Sequence, residues 1–268
     1  MRDTPQRPMP VKIYRLLPAV FSMSLQSEAS QRRDLILVMP VYNEAECIAG
    51  VVEKWRDTFK NLGINSELLV LNDGSKDETA QTLEQFADDP NVTVINKPNS
   101  GHGPTILQGY REGVKRADWV FQVDSDDEMQ PDQFEEFWKR RDKYDAIFGI
   151  RWHREQDAGR KVLSAGSRVL VRLFFGRGVR DVNVPYRLMR ADKLAPIVTA
   201  IPDDTFAPNL LISGVLGRNV RRVTNRNVLH ENRKTGTVSL KSSKLWKIAL
   251  KSGRQTTLFM LRTRIKGL

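Results

Sequence analysis

The chain has 268 residues, of which 40% are hydrophobic and 28% charged, so it can bury the core of one large α/β domain. Its single cysteine, Cys47, excludes a disulfide framework and a zinc site built from cysteines. No run of 18 apolar residues occurs, so the sequence predicts no transmembrane helix.

The positive charge is concentrated near the C-terminus. The net charge is +11, and residues 218–268 contain 14 Lys and Arg but only one acid, Glu231. The rest of the chain is therefore close to neutral. Such asymmetry favours an anionic partner, which could be a membrane surface, a nucleic acid or a phosphate-rich substrate.

In the first 150 residues, short apolar runs alternate with stretches of helical periodicity. The predicted strands cover 35–39, 68–71, 92–95, 119–123 and 146–150. The predicted helices cover 46–62, 77–86, 104–116 and 131–143. This alternation predicts a Rossmann-like α/β fold, with a mostly parallel sheet and helices on both faces.

Beyond residue 151 the alternation is looser. An apolar helix is predicted over 164–175, a loop leading into a strand over 181–190, a short helix over 208–216 and a strand over 219–223. A basic amphipathic helix is predicted over 241–251. We therefore predict an N-terminal extension, amphipathic or disordered, over 1–33, the main α/β domain over 34–232 and a basic amphipathic segment over 233–268.

Four polar motifs each follow a predicted strand, at 40–44, 72–75, 99–103 and 124–128. The carboxyl ends of parallel strands meet at one edge of a sheet, where ligands of such folds bind. The four motifs are therefore expected to form one site.

The acidic motif after the fourth of these strands has the chemistry of a metal site. Asp124 and Asp126 are two residues apart at a strand end, so both can reach one hard divalent cation, Mg²⁺ or Mn²⁺, that also holds substrate phosphates. The alternative is an acidic turn after a buried strand. A calcium loop of the EF-hand type is excluded, because Met129 occupies the position that requires glycine. A dinucleotide fingerprint at Gly101 and Gly103 is also excluded, because Ile106 replaces its third glycine.

Together these motifs resemble glycosyltransferase family 2, which has the inverting GT-A fold. The resemblance is carried in order by Met39-Pro40-Val41-Tyr42-Asn43-Glu44, Val70-Leu71-Asn72-Asp73-Gly74-Ser75, Asn99-Ser100-Gly101-His102-Gly103 and Asp124-Ser125-Asp126. Within the family the chain looks most like the polyprenyl-phosphate (dolichyl-phosphate type) sugar transferases. Asn72 departs from a common Asp, and His102 stands where Lys or Arg is frequent.

The resemblance implies a role for each matching residue. Those expected to contact the nucleotide-sugar donor are Pro40, Tyr42, Glu44, Asp73, Gly101, Gly103 and Asp124. Those expected to hold Mg²⁺ or Mn²⁺ are Asp124, Asp126 and Glu128. The residues expected to be catalytic are Asp126, Arg151, Arg160, Ser164 and Arg233. Arg151, Arg160 and Ser164 would bind the acceptor phosphate, and Arg233 would close over the donor diphosphate.

Three functions stay open on the sequence. The first is transfer of a sugar from a nucleoside diphosphate sugar to polyprenyl phosphate, by a protein peripheral at the cytoplasmic face of an anionic membrane. A phosphate acceptor is already a nucleophile and needs no strong general base. The second is transfer to a glycan hydroxyl, for which Asp203 and Asp204 are the candidate bases. The third is a non-enzymatic basic module that binds a membrane or a nucleic acid. A nucleic acid partner is not expected, because aromatic residues do not alternate with the basic ones.

Overall fold

The computed structural model describes residues 32–152, 178–218 and 222–231, together with Gln255, Thr257 and Phe259. The strands in these ranges are β1 Arg33–Val41, β2 Ser66–Asp73, β3 Val92–Lys97, β4 Ala117–Val123, β5 Ala146–Trp152, β6 Tyr186–Arg190 and β7 Val223–Leu229. The helices are α1 Ile48–Asn61, α2 Thr79–Leu83, α3 His102–Arg116, α4 Phe134–Arg140, α5 Ala191–Ala200 and α6 Pro208–Gly217. Short 3-10 turns follow α2 and flank α4.

The described strands form one seven-stranded sheet in the order β3-β2-β1-β4-β6-β5-β7. Every pairing in it is parallel except those of β6, which runs antiparallel to β4 and β5. The central strands are buried along nearly their whole length, as parallel strands covered on both faces must be. The predicted mostly parallel sheet is confirmed.

Successive residues of β4 show that both faces of the sheet are covered. Phe121 packs against Trp55 of α1, with ring centroids 5.3 Å apart, and against Phe134 of α4, at 4.8 Å. Its neighbour Gln122 faces the other way and contacts Tyr110 of α3. Because side chains alternate across a strand, α1 and α4 cover one face while α3 and α6 cover the other.

Close packing of α3 on the sheet requires a glycine. A methyl group at Gly109 would overlap Val38 of β1, whereas one at Gly50 in α1 would meet nothing within 4 Å. We expect Gly109→Ala to lower the free energy of unfolding by about 1–3 kcal/mol through overpacking. Gly50→Ala is the matched control and should raise it by about 0.5–1 kcal/mol. Urea denaturation of both variants measures the contrast, and equal effects would contradict this packing.

In the second half, one strand lies further along the chain than its predicted range, and one helix was not predicted. Strand β7 covers Val223–Leu229 and overlaps the strand predicted over 219–223 at Val223, while 219–221 lie outside the described residues. Polar residues occupy β7 because it is a partly exposed edge strand. Helix α5 was not predicted, and it contains Pro196. The predicted helices over 164–175 and 241–251, and the predicted N-terminal extension apart from its last two residues, lie outside the described residues.

The described residues of the C-terminal segment contact the catalytic domain. Phe259 is buried in the same hydrophobic core as the sheet. The side-chain oxygen of Gln255 accepts a hydrogen bond from the Phe206 backbone N–H at 3.2 Å. At these positions, the segment predicted to start at residue 233 therefore packs as part of the domain. Among the described residues, no helix is long and apolar enough to cross a bilayer.

Candidate active site

Asp124 follows β4 directly, at the carboxyl edge of the sheet, and its side chain is about one quarter exposed. Its Oδ1 accepts a hydrogen bond from Gln122 Nε2 at 2.9 Å and lies 3.8 Å from His102 Nε2. Burial raises the pKa of the Asp124 carboxyl; electrostatic interactions with His102 and Arg151 oppose this, and Glu128 adds to it. A carboxylate in such surroundings is stabilised by a cation.

The loop after Asp124 has a fixed shape. Asp127 has φ 57° and pairs with Lys54 of α1 at 2.8 Å, while its backbone carbonyl accepts a hydrogen bond from Gln130 Nε2 at 2.8 Å. The backbone N–H of Glu128 donates to Asp126 Oδ1 at 3.3 Å. Asp127 therefore shapes the loop that carries Asp126.

Glu128 ties this loop to the end of β7. Its carboxylate lies 2.8 Å from His230 Nε2, and its carbonyl accepts a hydrogen bond from the Glu231 backbone N–H at 2.9 Å. No three His, Cys, Asp or Glu side chains of the described residues converge as a metal-binding group. The Glu128 carboxylate is paired with His230, and its predicted role as a metal ligand remains a prediction.

The pair Asp124 and Asp126 fits a cation shared with a substrate. Mg²⁺ in proteins is usually held by one or two carboxylates, with phosphate and water oxygens completing its shell. Two partly exposed carboxylates at a strand end supply that donor set. The predicted ligand roles of Asp124 and Asp126 remain predictions that this chemistry supports.

The loops after β1 and β2 are tied together beside these acids. Asn43 has φ 55°; its side-chain oxygen accepts a hydrogen bond from the Lys76 backbone N–H at 2.8 Å, and its own N–H donates to Ser75 Oγ at 3.0 Å. Tyr42 is 38% exposed, while Glu44 is buried and its N–H donates to Thr79 Oγ1 at 2.9 Å.

Among the residues predicted to hold the donor, Pro40 lies inside β1 and is buried. Pairing between β1 and β4 ends at Val38, so no hydrogen bond to β4 is lost at this proline. Tyr42 is therefore the more accessible of the two residues for contact with a donor.

Asp73 ends β2 and organises the loop after β3. Its side chain is paired with Lys97, and its two oxygens accept hydrogen bonds from the backbone N–H groups of Ser100 and Gly101, each at 2.8 Å. Burial on its own would raise the pKa of Asp73, but hydrogen bonds from Lys97 and Ser100 outweigh it and lower the pKa. Asp73 stays ionised and holds the glycine loop; its predicted contact with a base remains a prediction.

The two glycines of this loop are required for different structural reasons. Gly101 has φ 92° at the start of α3, a conformation that favours glycine. A side chain at Gly103 would overlap the backbone carbonyls of Thr205 and Phe206. Gly103 is therefore required where the loop over 205–206 packs on α3, whatever contact it makes with a donor.

Arg151 lies near the end of β5, at the same edge of the sheet, and forms a bidentate ion pair with Asp181. Its Nε and Nη2 donate to the two oxygens of Asp181 at 2.7 and 2.9 Å, and both side chains are at most one fifth exposed. Two of its donors are thus already used, and the guanidinium is held in one orientation. Three other predicted site residues lie outside the described residues: Arg160 and Ser164, predicted to bind the acceptor phosphate, and Arg233, predicted to close over the donor diphosphate.

This ion pair predicts a pH dependence of stability. Burial would raise the pKa of Asp181, but the Arg151 hydrogen bonds and charge outweigh it and lower the pKa. A depressed folded pKa gives stability that is complete above the unfolded value, about 3.9, and is lost as pH falls toward the folded one. We expect the stability difference between wild type and Asp181→Asn to shrink as pH falls from 5 to 3 in urea denaturation. A constant difference would contradict the ion pair.

The two candidate general bases have other partners. Asp203 is 88% exposed and pairs with Arg111, and Asp204 accepts a hydrogen bond from Gln255 Nε2 at 3.4 Å. Neither contact involves the Asp124–Glu128 loop, although the neighbouring backbone at 205–206 packs on Gly103.

Sequence reasoning missed four side chains at or beneath this edge. Lys97 ends β3 just as Asp73 ends β2, so the rule that found Asp73 could have found it. Gln122, Asn209 and the fully buried Arg187 meet only in the folded chain, and their spacing carries no local signal.

Comparison with known proteins places these motifs in a family. The model of the family described as "Glycosyl transferase family 2" matches residues 36–197. The chain is 25% identical, over 76% of its own length and 62% of the relative's, to undecaprenyl-phosphate 4-deoxy-4-formamido-L-arabinose transferase of Pectobacterium atrosepticum. It is 27% identical, over 61% of its length and 69% of the relative's, to undecaprenyl-phosphate mannosyltransferase of Micrococcus luteus. The chain thus spans about three fifths of the length of the first of these relatives.

Solved structures share the fold. The structure of glucosyl-3-phosphoglycerate synthase from Mycobacterium tuberculosis with Mn²⁺, uridine-diphosphate-glucose and phosphoglyceric acid has a TM-score of 0.61 and 15% identity, covering 92% of this chain and 86% of that one. Mannosyl-3-phosphoglycerate synthase from Rubrobacter xylanophilus has a TM-score of 0.61 and 13% identity, covering 90% and 77%. At such identities the likeness supports the fold alone.

Proposed function

The chain belongs to glycosyl transferase family 2, and we propose that it transfers a sugar from a nucleoside diphosphate sugar to polyprenyl phosphate, with inversion and with a divalent cation. The observation that carries this proposal is the pair Asp124 and Asp126 at the end of β4, beside the loops that follow β1, β2 and β3. The relatives named for undecaprenyl phosphate support the acceptor class.

The proposed donor site uses the neighbouring strand ends. Asp73 Oδ2 accepts a hydrogen bond from the Gly101 backbone N–H, and a carboxylate oxygen can accept a second one, of the kind a base N–H would offer. Tyr42 offers an exposed ring beside it. Asp124 and Asp126 would hold Mg²⁺ or Mn²⁺ against the diphosphate; when bound, the cation neutralises charge that grows on the leaving nucleoside diphosphate. Solved structures of the same fold that contain Mn²⁺ support this choice of metal.

The proposed acceptor side uses Arg151, which Asp181 holds in place. A fixed guanidinium suits the oxygens of a phosphate, and a phosphate anion attacks without a strong general base. The sequence beyond residue 217 is strongly basic and favours an anionic surface, so we place the protein at the cytoplasmic face of a membrane, as a peripheral protein.

Radiolabel transfer tests the proposal. The protein is incubated with Mn²⁺ or Mg²⁺, labelled UDP- or GDP-sugars and short-chain polyprenyl phosphate, and the mixture is extracted with organic solvent. We expect label in the organic phase, removed by EDTA. Label that moves only to a glycan acceptor, and is lost in Asp203→Asn or Asp204→Asn, would replace the acceptor by a sugar hydroxyl. No turnover of any donor would contradict the enzymatic proposal.

A further inference from the structure

A glutamine is buried in the middle of the sheet, directly beneath the proposed metal site. Gln122 of β4 is fully buried, and an amide costs free energy in such a place unless all its hydrogen bonds are made. Its Nε2 donates to Asp124 Oδ1 at 2.9 Å. Its Oε1 lies 3.2 Å from Asn209 Nδ2 and 3.3 Å from the hydroxyl of Tyr110. Gln122 thus links a predicted metal ligand to helices α3 and α6.

Asn209 is the second residue of this hydrogen-bond network, and it determines the orientation of the Gln122 amide. Asn209 Oδ1 lies 2.8 Å from the Tyr110 hydroxyl, whose single proton goes to this shorter contact. Asn209 Nδ2 is therefore left to donate to Gln122 Oε1. The reversed amide of Gln122 would bring its oxygen against the Asp124 carboxylate and its NH₂ against the NH₂ of Asn209. The arrangement has one consistent orientation, in which Gln122 Nε2 points at Asp124.

A buried arginine also donates a hydrogen bond to this network. Arg187 of β6 is the register partner of Gln122 and is fully buried. Its Nη1 donates to the backbone carbonyl of Asn209 at 3.2 Å and to Ser213 Oγ at 3.2 Å. Its other described hydrogen bonds reach the backbone carbonyls of Val182 and Val184.

The described hydrogen-bond partners of Arg187 are neutral, so its charge remains locally unpaired. Burial lowers the pKa of Arg187, and the attraction of Asp181 and Asp124 opposes this. A positive charge therefore lies behind the carboxylates of the site, and it helps to keep them ionised.

We propose that Gln122 is a positioning residue for Asp124, held in its working orientation by Asn209 and Tyr110. The hydrogen bond from Gln122 fixes Asp124 Oδ1, which limits rotation of the carboxylate and leaves Oδ2 for a cation. Partners that orient metal ligands in this way usually change metal affinity when they are removed. The inference rests on the metal site of the proposed function, and it concerns cation binding and not the identity of donor or acceptor.

Mn²⁺ titration of the whole chain tests the inference, with the free ion followed by its electron paramagnetic resonance signal. The titration is made with Mn²⁺ alone, with UDP and with GDP. Gln122→Met keeps the length and volume of the side chain but removes both polar groups. We expect it to weaken Mn²⁺ binding by about 10–100-fold. Tyr110→Phe removes only one hydroxyl from the hydrogen-bond network and should weaken Mn²⁺ binding by about 2–10-fold.

Ser213→Ala is the matched control. Ser213 lies on α6 with Asn209, is also buried and also accepts a hydrogen bond from Arg187, but its hydroxyl donates to the Val182 carbonyl. The control should leave Mn²⁺ affinity unchanged while it lowers the thermal midpoint. A double variant of Gln122→Met with Asn209→Leu should bind Mn²⁺ no more weakly than Gln122→Met alone, because Asn209 acts on Asp124 through Gln122.

The outcomes separate this inference from the proposed function. Unchanged Mn²⁺ affinity in Gln122→Met and Tyr110→Phe, or an equal loss in Ser213→Ala, would overturn the positioning role even in an active glycosyltransferase. The variants could lose Mn²⁺ affinity as predicted while the wild-type protein turns over no nucleotide sugar. That result would support the positioning role and reject the proposed function. Absence of Mn²⁺ binding by wild type under all three conditions would overturn the positioning role.

Discussion

Replacing Asp126 with asparagine is expected to lower the rate of sugar transfer by about 100–1000-fold. An amide of the same shape keeps the loop geometry but removes the negative charge that would hold the cation against the donor diphosphate. The loss should appear in kcat, since charge develops on the leaving group in the transition state. Initial rates with the labelled donor and polyprenyl phosphate measure it, at saturating Mn²⁺.

Asp127→Asn is the matched control for this prediction. Asp127 lies in the same loop with φ 57°, a conformation that asparagine tolerates, and its carboxylate is turned toward Lys54 of α1. Loss of this partly exposed ion pair should cost at most about 1 kcal/mol of stability and leave the transfer rate close to wild type. If both variants lose activity equally, the shape of the loop and not a metal-bound carboxylate explains the effect.

Replacing Arg187 with methionine is expected to lower the free energy of unfolding by about 3–5 kcal/mol. The guanidinium donates five hydrogen bonds, and its removal leaves the carbonyls of Val182 and Val184 and the hydroxyl of Ser213 buried without this donor. It also removes the positive charge behind Asp124 and Asp181. Denaturation by urea at pH 7 gives the difference.

Arg190→Met tests whether burial is the cause. Arg190 is three residues further along the same region of chain, its side chain is 40% exposed, and it pairs with Asp192 at 3.1 Å. An exposed pair of this kind contributes about 0.2–1 kcal/mol. A similar loss in both arginine variants would mean that Arg187 has no special role in the core.

The sequence was sufficient to predict the strands and helices of the first half of the chain, where the apolar pattern matches burial in the fold. Strands β1, β2, β4 and β5 are apolar runs that are buried over most of their length, and the helices between them have a clear apolar side, so their order could be read locally. Strand β7 reads Val-Thr-Asn-Arg-Asn-Val-Leu and lies at the sheet edge, where polar side chains are tolerated, so its position depended on pairing with β5. The antiparallel direction of β6 likewise depends on tertiary contacts.

The candidate site divides in the same way. Asp73, Asp124 and Asp126 could be predicted because each follows an apolar strand at an edge that the fold brings together. Gln122 and Asn209 are 87 residues apart, and Arg187 occupies a strand whose neighbours are set by the sheet order. No local pattern identifies such a network. The pairing of Glu128 with His230 joins residues about a hundred positions apart, and no local pattern identifies it either.

The most direct test of the central claim compares polyprenyl phosphate with polyprenol of the same chain length as acceptors. Both lipids offer the same hydrocarbon, but only one offers a phosphate for a fixed guanidinium and for attack without a general base. We predict label in the organic phase with polyprenyl phosphate and Mn²⁺, and none with polyprenol. Equal labelling of both lipids, or labelling that survives EDTA, would contradict metal-dependent transfer to a lipid phosphate.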